Sequence, residues 1–290
     1  MAATLISVGG IPIQINFPVS LTCLEDNYVP FRISSASPDV VWNIQPESIS
    51  RNFSSSQKLS SLPINWKTVQ RDGKKEFFLP WKTGDISPYK TARMENDCSR
   101  GDIWIEKRES ENTLISLYPL DMILCSNLLL HRGGMIIHAA AVKINDEAFL
   151  FPASSGRGKS TWADLAHKLS SWSVLGEDKI ILKKSGDDYL IFGTPWNHRQ
   201  KFQVAESATL RGIFFLHHRP ENQIEKINQL LAIQEILQQA FLPFNDRDEL
   251  DRAVSILEDV IHRIPFYSFG FRPDQSALDY FQSFQINNSV

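Results

Sequence analysis

Apolar and polar positions alternate in the first part of the chain. Ile6 and Val8 precede a Gly9-Gly10 pair, and Ile11, Ile13, Ile15 and Phe17 follow it. A period of two around paired glycines predicts a β-hairpin. Short β-prone pieces continue at 40–44, 76–79, 102–106 and 113–117, punctuated by prolines at 18, 30, 38, 46, 63, 80 and 88. Residues 54–61 are mostly polar and read as a surface loop. No helical periodicity is evident before residue 118. Residues 1–117 are therefore expected to form a small, mostly antiparallel β domain. Trp42, Trp66, Trp81 and Trp104 are read as core or domain-interface residues rather than a ligand platform.

At 118 the texture changes, and 118–290 reads as a second, α/β domain. Pro119 suits a first helical turn, and Leu120, Ile123, Leu124, Leu128 and Leu129 fall on one face of the helix that follows. Arg132-Gly-Gly134 ends it. Two apolar runs, 135–142 and 148–151, flank a short turn at 143–146, which makes them antiparallel neighbours and the sheet around them mixed. Further strands are predicted at 172–175, 180–182, 189–192, 212–216 and 264–271. Helices are predicted at 223–241, 246–262 and 274–284.

The second run leads into Pro152-Ala-Ser-Ser-Gly-Arg-Gly-Lys-Ser-Thr161 and then a helical pattern through Trp162, Leu165, Ala166 and Leu169. Strand, glycine-rich loop, Lys-Ser and helix form a phosphate-binding loop in its required context. Ser154, Ser155, Gly156, Arg157, Gly158, Lys159, Ser160 and Thr161 make up the loop. Its glycines let backbone N–H groups converge on phosphate oxygens at a helix N-terminus. Lys159 supplies a charge for the outer phosphates, and the Ser160 hydroxyl can ligate Mg²⁺. Ala153 stands where a glycine usually opens the motif, so that position does not require φ > 0.

A bound triphosphate needs a metal, and the metal needs a carboxylate near Ser160. Glu177-Asp178 ends the first strand after the loop helix, where two carboxylates would divide metal binding and proton acceptance. Asp187-Asp188 sits in a Ser-Gly-Asp-Asp turn and reads as a turn former. His138 interrupts an apolar strand and, from the strand pattern, is more readily a core side chain. His198, Arg199 and Lys201 lie in a loop, and His217-His218-Arg219 ends a strand as a surface turn from which Arg219 can reach a phosphate.

Composition narrows the classes. The chain has 290 residues, 42% hydrophobic and 11% aromatic, with a formal net charge of -3. Nothing there implies attraction to nucleic acid or to an anionic membrane, and no run is long enough to span one. Cys23, Cys98 and Cys125 are widely spaced, which suits reduced thiols and offers no metal-ligand spacing. The N-terminus lacks a secretory pattern. A cytoplasmic protein is expected.

As a set, these motifs resemble the HPr kinase/phosphorylase superfamily. The residues that carry the likeness are Pro119-Leu-Asp, Gly134-Met-Ile-Ile-His-Ala-Ala-Ala-Val142, the loop at 154–161, Leu175-Gly-Glu-Asp-Lys-Ile180, Gly193-Thr-Pro-Trp196 and Ile264-Pro-Phe-Tyr with Phe271-Arg-Pro-Asp274. The chain looks most like the smaller members encoded with ribosomally made, modified peptides, including lasso-peptide kinases. The resemblance implies a mixed-sheet core of the phosphoenolpyruvate-carboxykinase type, with a β-rich N-terminal domain that helps bind the acceptor. It also implies a kinase that uses ATP or a related nucleotide with Mg²⁺, and it brings His138 toward the active site. Where relatives usually carry Asp-Asp this chain has Glu177-Asp178, so Asp178 is the firmer candidate for base or metal ligand. The expected activity is phosphoryl transfer to a Ser/Thr hydroxyl of a peptide or small protein. A nucleotide-binding scaffold of low turnover and a free-serine kinase are the alternatives. The sequence names neither the acceptor nor the donor nucleotide, and leaves a homo-oligomer open.

Overall fold

The computed structural model describes residues 2–18, 23–45, 66–80, 88–105, 114–243 and 246–288. Trp81, the polar stretch 54–61 and the ends of the 102–106 and 113–117 pieces lie outside these residues. The chain divides into two compact units, residues 1–131 with 243–247 and residues 132–242 with 248–290.

The first unit holds β1 (Ala2–Val8), β2 (Ile11–Phe17), β3 (Cys23–Leu24), β4 (Val40–Gln45), β5 (Lys67–Arg71), β6 (Lys74–Pro80), β7 (Pro88–Met94), β8 (Arg100–Ile105), β9 (Leu114–Ile115) and helix α1 (Leu120–His131). Seven strands form one sheet in the order β1-β2-β4-β8-β7-β6-β5. Its joins are antiparallel except β2–β4 and β4–β8, which run parallel, so the sheet is mixed. The expected hairpin is present, and β2 alternates strictly between buried and half-buried positions. Trp42 is buried and donates its indole N–H to the Cys98 carbonyl at 2.9 Å, while Trp66 and Trp104 are half-buried. Helix α1 is buried from Leu120 through Leu130 rather than on a single face, as an all-round apolar helix must be.

The second unit is built from β10 (Gly134–Ile144), β11 (Glu147–Pro152), α2 (Lys159–Leu169), β12 (Ser173–Gly176), β13 (Lys179–Ser185), β14 (Asp188–Phe192), β15 (Ser207–His218), β16 (Gln223–Lys226), α3 (Gln229–Gln239), α4 (Arg247–Arg263), β17 (Phe266–Phe271) and α5 (Gln275–Asn288). The β10–β11 hairpin is antiparallel, as its spacing predicts. β11 then pairs in parallel with β15, closing β11-β10-β13-β14-β15 into a ring, and β17 and β16 extend the sheet beyond β15. A mixed α/β architecture results.

One prediction fails here. The helix expected over 223–241 begins only at Gln229, because 223–226 pair with β17 as strand β16. The ladder to β17 overrides local helix preference, and Asn228 caps the shortened helix by accepting from the Leu231 N–H at 2.8 Å.

Helices α2 and α5 bury against β11, β15 and β17 through an aromatic core. Trp162, in the first turn of α2, has ring-centroid distances of 5.0 Å to Phe151, 5.2 Å to Phe269, 5.6 Å to Phe281 and 5.7 Å to Phe271. A fully buried indole at this place fixes the start of α2, and with it the loop before it.

Candidate active site

The loop at 153–158 joins β11 to α2. Gly158 stands at the head of the helix with φ 104°, a left-handed conformation. A Cβ there would lie 2.8 Å from two carbons of the Phe271 ring and 3.0 Å from the His218 ring, so both backbone and neighbours require glycine. Arg157 N–H donates to the Ser154 carbonyl at 3.2 Å, and Trp162 N–H to the Gly158 carbonyl at 2.8 Å. The amides at the start of α2 are the ones a helix leaves without intrahelical partners.

Lys159 is buried and folds back over the loop, with Nζ donating to the Ala153 carbonyl at 2.6 Å and the Ser154 carbonyl at 3.2 Å. Burial lowers its pKa, while the nearby Asp178 and Glu177 charges oppose that shift. Ala153 packs into the aromatic core, which explains how a methyl group serves where glycine is usual. Ser154, Ser155, Gly156, Arg157 and Ser160 are exposed, and Thr161 is half-buried. Gln239, at the end of α3, is buried and reaches Ser154 Oγ at 3.3 Å.

On one flank of the loop lies the corner between β12 and β13, which carries the two acids. Asn197 Oδ1 accepts the Glu177 N–H at 2.9 Å and the Asp178 N–H at 3.1 Å, and its amide donates to the Thr194 carbonyl at 3.0 Å. Asp178 Oδ1 lies 3.2 Å from His138 Nε2, and Oδ2 accepts from Lys179 Nζ. Burial by itself pushes the Asp178 carboxyl up, but the His138 hydrogen bond and the Lys179 charge outweigh it and hold the pKa down at about 2.

Glu177 is 4% exposed, and both its carboxylate oxygens accept from the Arg199 guanidinium. Arg199 Nη1 also reaches Asp164 Oδ1 on α2 at 2.7 Å, and Nη2 lies 3.4 Å from the Ser160 carbonyl. The hydrogen bonds to Glu177 push the Arg199 pKa up. Glu177 is thus half of a clamp that ties the acidic corner to the first turns of α2. It is not a second free carboxylate.

The other flank is the C-terminal end of β15. β11 and β15 run parallel with Leu150 opposite Ile213, so the loop leaving β11 passes beside 214–218. Arg157 Nη1 lies 3.3 Å from His217 Nδ1, although the two residues are 60 apart in sequence. Burial lowers the His217 pKa and the Arg157 charge lowers it further, while the Glu235 charge opposes the shift. His218 packs against Phe271, with ring centroids 5.4 Å apart and planes tilted by 33°. Arg219 lies across Gly270, and its N–H donates to the Phe271 carbonyl at 3.2 Å.

The structure therefore gathers the loop residues, His138, Glu177 and Asp178, all named from sequence. His138 is in the site through its bond to Asp178. Among the described residues no hydrogen bond joins the exposed His198 to this group, whereas its neighbour Arg199 is central. Asn197, Asp164 and Gln239 were not foreseen. The one local signal for Asn197 was its place after Gly193-Thr-Pro-Trp. Among the described residues no cluster of three or more His, Cys, Asp or Glu side chains is set to hold a metal, and no helix is long and apolar enough to cross a membrane.

One family model matches more than half of the chain. The model of the family described as SynChlorMet cassette protein ScmC matches residues 105–269. No curated protein matches. Among solved structures, the Hpr(Ser) kinase/phosphatase from Coxiella burnetii aligns over 53% of this chain and 99% of its own, at 12% identity and a TM-score of 0.30.

Proposed function

The chain belongs to the SynChlorMet cassette protein ScmC family, and from that premise we propose that it is a Mg²⁺-dependent kinase. It moves the γ-phosphoryl group of ATP or a related nucleotide to a Ser/Thr hydroxyl of a peptide or small protein. The observation that carries this reading is a glycine-headed loop at the N-terminus of α2 that Arg199 ties, through Asp164 and Glu177, to the corner carrying Asp178. The family's description as a cassette protein supports work alongside other members of a cassette. The resemblance to kinases of modified-peptide clusters supports a peptide acceptor.

Loop amides and Lys159 hold the phosphates. Ser160 and Asp178 suit Mg²⁺, which keeps most of its ligands as water and phosphate oxygens and so needs no dedicated protein cage. That ion would supply charge neutralisation between the outer phosphates. The acceptor oxygen bonds to the γ-phosphorus, and the bond to the β-phosphate oxygen breaks, leaving its electron pair on the nucleoside diphosphate. The hydroxyl proton passes to the Asp178 carboxylate beside His138. A carboxyl of such low pKa is a weak base, but a loose transition state asks for proton acceptance late and for charge placement throughout.

The test is phosphate transfer from radiolabelled ATP to candidate peptides, with Lys159→Ala and Asp178→Asn as controls. Each variant is expected to lose about a hundredfold or more of the rate. Transfer by Asp178→Asn at the wild-type rate would remove Asp178 from its role. The capture of Glu177 by Arg199 favours a second reading, a nucleotide-binding scaffold of low turnover, because a single acid is then left for chemistry. Tight nucleotide binding with neither a phosphorylated product nor hydrolysis would select it. Phosphorylation of free serine in place of a peptide would make the protein a metabolite kinase.

A further inference from the structure

Two cations on the β15 side of the loop, Arg157 and Arg219, differ from the cations of the acidic corner. Arg199 and Lys201 are paired with acids, as is Lys179. Among the described residues no carboxylate lies within ion-pair distance of Arg157 or Arg219, and the Arg157 guanidinium instead lies 3.3 Å from His217 Nδ1. Arg157, Arg219 and, from α3, Glu235 all act electrostatically on the His217 ring, so two guanidinium groups face one more distant carboxylate here and raise the local potential for an anion. Their position follows from topology. β11 has two neighbours: β10, which pairs with β13 and so brings Asp178 alongside, and β15, which brings Arg219. The acid and the unpaired arginines therefore stand on opposite sides of the loop.

We infer that the end of β15 is the seat of the departing diphosphate, where Arg157 and Arg219, above a floor made by the His218 and Phe271 rings, hold the β-phosphate end of a nucleoside diphosphate. This seat rests on the kinase reading given above. In-line transfer places the attacking and leaving oxygens on opposite sides of the phosphorus. With the hydroxyl entering beside Asp178, the electron pair of the breaking bond collects on the side of β15, where two guanidinium groups meet it. Arginine suits the task because its planar fork binds phosphate oxygens in pairs. Gly158 belongs to the same construction. Any larger residue there would run into the rings that floor the seat.

Titration calorimetry with MgADP, MgAMP and O-phosphoserine tests the seat, using wild type, Lys159→Ala, the double variant Arg157→Ala/Arg219→Ala and its polar counterpart Arg157→Gln/Arg219→Gln. Both arginines are exposed, and thermal midpoints within a degree or two of wild type are expected. Both double variants should bind MgADP about tenfold or more weakly and leave MgAMP unchanged. MgADP affinity within twofold of wild type in both double variants, with Lys159→Ala still impaired, would overturn the seat and leave the kinase reading standing. A loss confined to O-phosphoserine would put the arginines on the acceptor and also overturn it. No binding of MgADP or MgATP by wild type would overturn both readings.

Discussion

The two flanks of the loop at 153–158 handle charge in opposite ways. At the acidic corner almost every charge is answered from within the protein: Glu177 and Asp164 by Arg199, Asp178 by Lys179 and His138. At the end of β15, Arg157 and Arg219 are exposed and have no acid within ion-pair distance among the described residues. Internal pairing fixes geometry, because each partner restricts the other. Charges without an internal partner cost little while hydrated and are free to meet a ligand. The first flank therefore reads as machinery held in place, and the second as a surface meant to be covered.

The change that should break both flanks together is Trp162→Ala. Removing a fully buried indole from the start of α2 is expected to cost about 3–5 kcal/mol, read as a shift in the urea midpoint at constant slope. Loss of nucleotide binding should accompany it even where the protein is still folded.

Next in size is Glu177→Gln. The carboxylate is almost wholly buried but Arg199 is partly solvated, so the expected loss is about 1–3 kcal/mol, below that of a fully buried pair. Arg199→Lys should lose a similar amount, since an ammonium group cannot reach Glu177 and Asp164 in a fork. Wild-type stability in both variants would mean that the clamp holds nothing.

A pH series separates the flanks more finely. Asp178 has a folded pKa of about 2, below the usual carboxylate value. The folded state thus binds fewer protons than the unfolded chain, and stability from this group is complete above about pH 4 and lost as pH falls toward 2. Asp178→Asn should flatten that part of the stability curve, while Arg157→Gln/Arg219→Gln should leave its shape alone. The smallest expected effect is on the basic flank itself, where the arginine variants should change stability by no more than about 0.5 kcal/mol.

How far each flank could be read from the chain follows from distance along it. The loop was plain because strand, glycines, Lys159 and helix are contiguous. Asp178 stands out as a candidate because it follows the end of the next strand. The clamp was hidden because Arg199 meets Glu177 and Asp164 across 22 and 35 residues, and adjacency in a loop carries no sign of either contact. The resemblance brought His138 into the site, and the Asp178 bond gives the physical reason that an apolar strand alone withheld. His217-His218-Arg219 looked like a surface turn because nothing local announces the parallel β11–β15 pairing. Strand β16 reads as helix from sequence because Ile224 and its neighbours fit a helical spacing, and only the pairing with β17 claims their backbone.

β15 is shared property. Its first residues pair with β14, its middle with β11 and its last with β17. Side chains on a strand change sides at every residue. One residue inserted near Gly212 would move Phe214 and Leu216 off the face they share with Phe151 and Phe281. Evolution can therefore retune the rims of this site by single replacements, but cannot change the length of the strand that spaces them.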